Sequence, residues 1–335
     1  MRDKPMSEES RLLKNKKNKQ IKKAVYVTGC LGFIGAYVTR ACLEKGWYVR
    51  GVDKMTYAAN KSLLSEFEEY ENFTFEKADI CDLDWLYDCD YIINTAAETH
   101  VDNSIVNSDE FVHSNINGVR NLLELIRKRK HYKMPTLLHF STDEVYGDII
   151  EGAHTEEDLL KPSNPYSATK AAADQLILAW NRTYDVPYVI VRPTNNYGKG
   201  QYIEKLVPKT CQFFELGKKI SLHEGGTPTR IWLHAKDTAE AIIKIITHGG
   251  VNEIYNISSK FEQTNIDTVK KILNHYTEGG YSIDDYVDFH YERPGADLRY
   301  SIDDSKLRNI GWKPEANFDD EIQEIVEFYR NNFIW

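Results

Sequence analysis

Three groups of residues in this chain could do chemistry. The first is Tyr166-Ser167-Ala168-Thr169-Lys170, which follows Pro165 at the start of a helical pattern. A spacing of four on a helix sets the phenol and the ammonium one turn apart on the same face, so the lysine can favour tyrosinate by its charge and can also anchor a ribose. The second is Ser141-Thr142-Asp143-Glu144-Val145-Tyr146-Gly147. Adjacent carboxyls can serve as base and acid if one stays protonated, because in a partly dry site the charge on one raises the pKa of the other. The third is Thr28-Gly29-Cys30-Leu31-Gly32-Phe33-Ile34-Gly35, followed 24 residues after Gly29 by Asp53. Its glycines allow a tight turn, bring backbone N–H groups close to a pyrophosphate and let the next helix pack closely. Asp53 would accept hydrogen bonds from an adenosine ribose and repel a 2′-phosphate, a choice of NAD over NADP. Each group has a plainer reading: a helix surface, a solvated loop, a glycine turn with a surface acid. Their place in one α/β framework argues against those readings.

That framework is legible from Ala24 onward. Runs rich in β-branched and aromatic residues at Ala24–Thr28, Tyr48–Asp53, Phe73–Ala78, Tyr91–Thr95, Thr136–Ser141 and Tyr188–Val191 predict strands. Apolar residues at spacings of three and four predict helices at Phe33–Lys45, Asp109–Lys128 and Tyr166–Tyr184. The fold class is therefore α/β, a doubly wound parallel sheet of Rossmann type with a smaller C-terminal α/β substrate domain. Residues 24–200 form the NAD-binding part, with 232–258 returning to it. Residues 201–231 and 259–335 form the substrate part; beyond about Gly198 strands are expected at Lys219–His223, in that part, and at Glu253–Ile257, in the returning segment.

The chain has 335 residues, 41% hydrophobic and 28% charged, the ordinary balance of a soluble protein. No apolar run is long enough to span a bilayer. Residues 1–23 carry nine cations against Asp3, Glu8 and Glu9, a charge of +6 that leaves −15 of the net −9 on the rest. This predicts a basic, disordered tail and no folded basic face for nucleic acid. The five cysteines form no CxxC pair, which points away from disulfides and zinc and toward a reducing, cytoplasmic setting.

At Asp143-Glu144 a resemblance becomes specific. The chain resembles the nucleoside-diphosphate-glucose 4,6-dehydratases, dTDP- and UDP-glucose enzymes of the extended short-chain dehydrogenase family. Further motifs recur in family order: Asp53 to Ala58, Ala96-Ala97-Glu98-Thr99-His100-Val101-Asp102, Asn195-Asn196-Tyr197-Gly198, Glu204-Lys205-Leu206 and Arg293 to Tyr300. The resemblance implies oxidation at glucose C4 with Tyr166 as base, removal of the C5 proton by Glu144, protonation of the leaving C6 hydroxyl by Asp143, and Thr142 hydrogen-bonding near O4. It places Phe33, Ile34, Lys54, Thr56, Asp79, Ile80, Ala96, Ala97, Ser114 and Asn196 at the cofactor, with Gly29, Gly32, Gly35, Asp53, Tyr166 and Lys170. It places Thr99, Thr142, Asn195, Lys205, Leu206, Arg230, Asn265 and Arg293 at the nucleotide sugar. It also implies a homodimer through the two long helices, and a role in rhamnose or other deoxysugar synthesis.

The base on the nucleotide stays open. Asn94, Ser221-Leu222-His223 and Lys199-Gly200 depart from the usual thymidine-linked pattern, and the runs at Thr99 to Ser104 and Asn164 to Lys170 look more like the UDP-glucose branch. A 4-epimerase or UDP-glucuronate decarboxylase would also need Tyr166 and Lys170, but neither needs Asp143-Glu144. A catalytically silent NAD-binding scaffold predicts a broken tyrosine or lysine. His139 reads as a core residue and Cys30 as a small filler; no metal ligand is assigned.

Overall fold

The computed structural model describes residues 23–129, 133–277, 280–295 and 297–332. The predicted tail, apart from Lys23, and Ala296 in the Arg293–Tyr300 motif lie outside them. Seven parallel strands form the main sheet: β1 (Ala24–Thr28), β2 (Tyr48–Asp53), β3 (Phe73–Lys77), β4 (Tyr91–Asn94), β5 (Thr136–Phe140), β6 (Tyr188–Pro193) and β10 (Glu253–Ile257), in the order β10-β6-β5-β4-β1-β2-β3. The order reverses between β1 and β4, so a crevice opens beyond their carboxyl ends, where open α/β sheets take ligands.

Helices Phe33–Glu44 and Ala235–His248 cover one face through Val38, Leu43, Ile242 and Ile246. Helices Gly118–Arg127 and Pro165–Tyr184 cover the other through Leu122, Leu123, Ile126, Ala173 and Ile177. A third core, with Val207, Leu222, Trp232, Val269, Phe318 and Ile325, lies under two small sheets. In one, β7 (Asn195–Tyr197) and β11 (Glu262–Thr264) flank β9 (Thr229–His234); the other pairs β8 (Ile220–His223) with β12 (Val287–Tyr291).

The helix expected across Asp109–Lys128 is not one α-helix. It runs as α over Asp109–Phe111, as π over Val112–Asn117 and as α again over Gly118–Arg127. Side chains that periodicity does not weigh hold the wide turn. Asn115 exchanges hydrogen bonds with the backbone of Glu98, accepting at 2.9 Å and donating at 3.0 Å, while Ser114 turns to Lys54. Such π turns recur at functional sites. The helix carrying Tyr166 starts at Pro165, where Asn164 and Ser167 form a reciprocal capping box.

Candidate active site

Beyond the carboxyl ends of β1, β4 and β5 runs a trench of three joined hollows. Gly29, Gly32, Asp53, Lys54, Thr56, Asp79, Ile80, Ala96, Ala97 and Ser114 line the first. The middle one takes Phe33, Ile34, Gly35, Thr142, Asp143, Glu144, Tyr166, Asn195 and Asn196, and shares Gly29 and Ala97 with the first. The third is lined by Thr99, Asn195, Lys205, Leu206, Arg230, Asn265 and Arg293, and shares Glu144 with the middle one. The trench thus gathers every residue expected at the site except Lys170.

The first hollow fits a dinucleotide. Gly29 has a φ of 72°, and a Cβ there would lie 2.7 Å from the Ala96 nitrogen. A Cβ on Gly35 would lie 2.0 Å from the Gly29 carbonyl oxygen. Gly35→Ala is therefore expected to cost about 1–3 kcal/mol of stability through overpacking, checked by urea unfolding; an unchanged midpoint would show that the turn yields freely. Asp53 is buried and accepts N–H bonds from Leu31 at 3.0 Å and Met55 at 2.7 Å, which ties the carboxylate between the glycine turn and the end of β2. Lys54 donates to Ser114 at 3.0 Å and lies 3.7 Å from both Asp79 and Glu98. Asp79, Cys81 and His113 bring potential ligand atoms within 4.8 Å of one another, but the Lys54 ammonium beside Asp79 opposes a cation there.

The middle hollow holds the two acids in a short 3-10 turn, Asp143–Tyr146. Asp143 is 3% exposed, and burial, reinforced by the negative charge of Glu144, pushes its carboxyl up to about 7. Burial is the larger cause, where the sequence suggested the neighbouring charge. Glu144 is also raised by burial, but Arg230, Arg293 and Lys205 oppose the rise. Three cations thus favour the ionised form of Glu144 and only Arg230 that of Asp143, the asymmetry that suits a base beside an acid.

Tyr166 is 7% exposed, and burial and the carboxyls of Glu144 and Asp143 drive its phenol far up. Lys170 does not counter this as its spacing suggested. It lies beneath the trench wall, its ammonium donates to the Phe140 carbonyl at 2.5 Å, and burial lowers it to about 8. Tyr166, Lys170 and Asp174 follow at intervals of four on one helix face. Asp174 accepts from Arg192 at 3.0 and 3.1 Å and from Ser141 at 3.0 Å, in a pair shut off from water.

In the third hollow backbone carbonyls place Arg230 and a carboxylate places Arg293. Arg230 donates to the carbonyls of Thr229 at 2.7 Å and Asp297 at 3.1 Å and packs 4.6 Å from the centre of the Tyr300 ring, whose hydroxyl donates to the Asp297 carboxylate. Arg293 pairs with Asp102 at 2.8 Å. Lysine and arginine side chains in one concave wall make a seat for a diphosphate. Glu98, Glu204, His223, Asp297 and Tyr300 also line the trench; they stood in the runs quoted from the sequence but were assigned no role there. Ser221, Leu222 and His223 face this hollow. Asn94 does not. It is buried in the sheet between Thr28 at 2.6 Å and His139 at 3.0 Å, so its identity carries no direct information about a bound base. His139 is the core residue expected, and Cys30, also buried, has its thiol pushed up by burial. No helix among the described residues is long and apolar enough to cross a membrane.

Comparison with known proteins accords with this geometry. The family model described as GDP-mannose 4,6 dehydratase matches residues 26–325. A dTDP-glucose 4,6-dehydratase of Haemophilus influenzae is 39% identical, covering 92% of this chain and 98% of that protein. The low-salt glycan biosynthesis protein Agl12 of Haloferax volcanii is 38% identical over 91% of this chain and 98% of its own. Among solved structures, the dTDP-glucose 4,6-dehydratase DesIV of Streptomyces venezuelae, with NAD and TYD bound, superposes with a TM-score of 0.86 at 34% identity, covering 92% of this chain and 97% of that one. A UDP-glucose 4-epimerase of Thermus thermophilus, at 23% identity and a TM-score of 0.80, shares the fold. With the family model matched over most of its length and relatives this similar along nearly all of it, the chain belongs to the GDP-mannose 4,6 dehydratase family, on the Rossmann-type fold of the extended short-chain dehydrogenases.

Proposed function

We propose that the chain is an NAD-dependent hydro-lyase that converts a nucleoside-diphosphate glucose to its 4-keto-6-deoxy form and water. The observation that carries this reading is the adjacent carboxyl pair, Asp143 and Glu144, with unequal cation support, set in the same hollow as Tyr166. Epimerisation needs a tyrosine and a hydride acceptor but no such pair. The glycine turn, Asp53, Lys54, Thr56, Asp79 and Ser114 would hold NAD. When bound, NAD would supply the acceptor for a hydride from C4 and the donor that gives it to C6, and in its oxidised form a positive charge favouring the Tyr166 phenolate.

The protein's groups manage the protons. Tyr166 takes the O4 proton, the resulting ketone acidifies C5, Glu144 removes the C5 proton, and Asp143 protonates the departing C6 hydroxyl. Arg230, Arg293 and Lys205 hold the diphosphate and also favour the ionised form of Glu144 against its burial. Because Asp143 donates in its protonated form and sits near 7, the elimination rate should fall as pH rises through about 7. A pH–rate profile checks this, and Asp143→Asn should remove that limb along with most of the rate.

The relatives are named for dTDP-glucose, which favours dTDP-glucose over the UDP-glucose suggested by the sequence runs near Thr99 and Tyr166. Ser221, Leu222 and His223 are the residues to read a base at the far end of the third hollow. Side-by-side turnover of the two sugars, followed by mass spectrometry, tests both claims: dehydrated product from neither would end the proposal, and faster turnover of UDP-glucose would reverse the preference. The reading includes a cytoplasmic homodimer paired through the Gly118–Arg127 and Pro165–Tyr184 helices; a monomer mass by light scattering at micromolar concentration would count against the dimer.

A further inference from the structure

A dehydratase that takes hydride from a sugar and gives it back ends each turnover with its cofactor as it began. Only the nucleotide sugar has to come and go, so one trench must hold one ligand and release the other. The segment 54–60, after β2, supplies Lys54, Thr56, Ala58 and Ala59 to the first hollow. It is fixed at both ends, by the Met55 N–H on Asp53 at 2.7 Å and the Asn60 N–H on the Leu31 carbonyl at 2.9 Å. The segment 198–205, after β7, forms one wall of the middle hollow through Gln201, Tyr202, Glu204 and Lys205. Its first half is fixed by the Tyr329 hydroxyl, which donates to the Gly198 carbonyl at 2.9 Å and accepts from the Gln201 N–H at 2.7 Å. Its end is fixed by Lys205, which donates to the Thr99 carbonyl at 2.7 Å. Between these anchors the two segments meet. The Tyr57 hydroxyl donates to Glu204 Oε2 at 3.1 Å, and the Tyr57 and Tyr202 rings stand edge to face with centroids 5.3 Å apart. Partial burial, with the charges of Glu204 and Glu98, pushes the Tyr57 phenol up, so it remains a donor. Tyr57 lines none of the three hollows, and half of it is exposed. It joins wall to wall.

We propose that Tyr57, held by Glu204 and Tyr202, is a clasp across the trench that keeps NAD in place through successive turnovers while the third hollow stays open to the sugar. The inference rests on the dehydratase reading for its purpose and on the NAD site for its ligand. Its place in the trench fits both. Ala58, next to Tyr57, is shared by the first and middle hollows, where the adenosine end of a dinucleotide gives way to the nicotinamide end. Glu204 is shared by the middle and third hollows, where cofactor meets sugar. A bridge from the one to the other crosses the trench over the cofactor's span and leaves Arg230 and Arg293 clear of it. Because the clasp joins protein to protein, it slows the passage of NAD in both directions and adds little to the affinity itself. In a dehydrogenase that exchanges its cofactor at every turnover, such a bridge would have to open each time and would limit the rate. In a dehydratase it has no need to open at all.

Exchange of bound radiolabelled NAD against excess unlabelled NAD, without sugar, reads the dissociation rate, and equilibrium dialysis reads Kd. In Tyr57→Phe the hydrogen bond is gone and the ring pair kept, and dissociation should be roughly 3–10-fold faster. In Tyr57→Ala both are gone, and dissociation should be roughly 10–100-fold faster. Kd should change far less in either variant, because entry is quickened by nearly the same factor. A half-exposed ring can be removed with little loss of stability, so both variants should fold. A dissociation rate unchanged in Tyr57→Ala would overturn the clasp. So would a Kd that rises by the full factor of the rate, which would make Tyr57 a contact of the ligand rather than a bridge over it. The measurement needs no turnover. The expected exchange rates in a protein that releases no dehydrated sugar would support the clasp and remove the dehydratase reading alone, whereas a protein that binds no NAD would overturn the clasp.

Discussion

Glu144→Gln is expected to lower formation of the dehydrated sugar by roughly 10²–10⁴-fold while C4 oxidation stays measurable as absorbance of reduced cofactor. The amide keeps the side chain's size and its place between the middle and third hollows but cannot take the C5 proton. It also leaves the guanidinium groups of Arg230 and Arg293 without the negative charge they now favour. Tyr166→Phe should suppress both oxidation and elimination, since the same phenol must take the O4 proton before C5 becomes acidic. The contrast between the two variants matters more than either alone. Elimination unchanged in Glu144→Gln would move the base elsewhere in the trench.

Asp174→Ala is expected to destabilise the protein by about 3–5 kcal/mol, because it leaves the guanidinium of Arg192 buried beside no carboxylate. Arg192 is 2% exposed; its remaining polar contact is the Tyr146 hydroxyl, to which it donates at 2.6 Å. Urea unfolding measures the cost, and a loss under about 1 kcal/mol would show that water reaches the site. Replacing both partners together with apolar residues of similar volume should recover most of the loss, as expected when the penalty comes from an unpaired charge rather than from a lost attraction.

The parts of this molecule that depend on near neighbours in the chain were readable without coordinates. The glycine turn, the strand before it and the helix after it follow from local spacing. Asp143 and Glu144 are adjacent, so their coupling could be expected, and the helix carrying Tyr166 announces itself by its proline and its apolar rhythm. What escaped depends on distant partners. The π turn at Val112–Asn117 exists because Asn115 is held by Glu98, which periodicity cannot register. Lys170 was expected to face the phenol. In this structure burial and the Phe140 carbonyl hold its ammonium, a contact that spacing alone does not reveal. Asn94 looked like a substitution at the base pocket and is a sheet residue bonded to Thr28 and His139. Tyr300 and Asp297 reach the trench because a C-terminal loop folds back over Arg230, a contact between residues 67 apart that residue type does not reveal.

The central claim is that one site oxidises C4, removes water across C5 and C6, and reduces C6. The most direct measurement supplies the nucleotide glucose carrying deuterium at C4, with unlabelled cofactor, and locates the label in the product by NMR. The account predicts deuterium at C6 of a 4-keto-6-deoxy sugar. Deuterium retained at C4 of an epimerised or unchanged sugar would contradict it, and so would a dehydrated product that has lost the label to solvent.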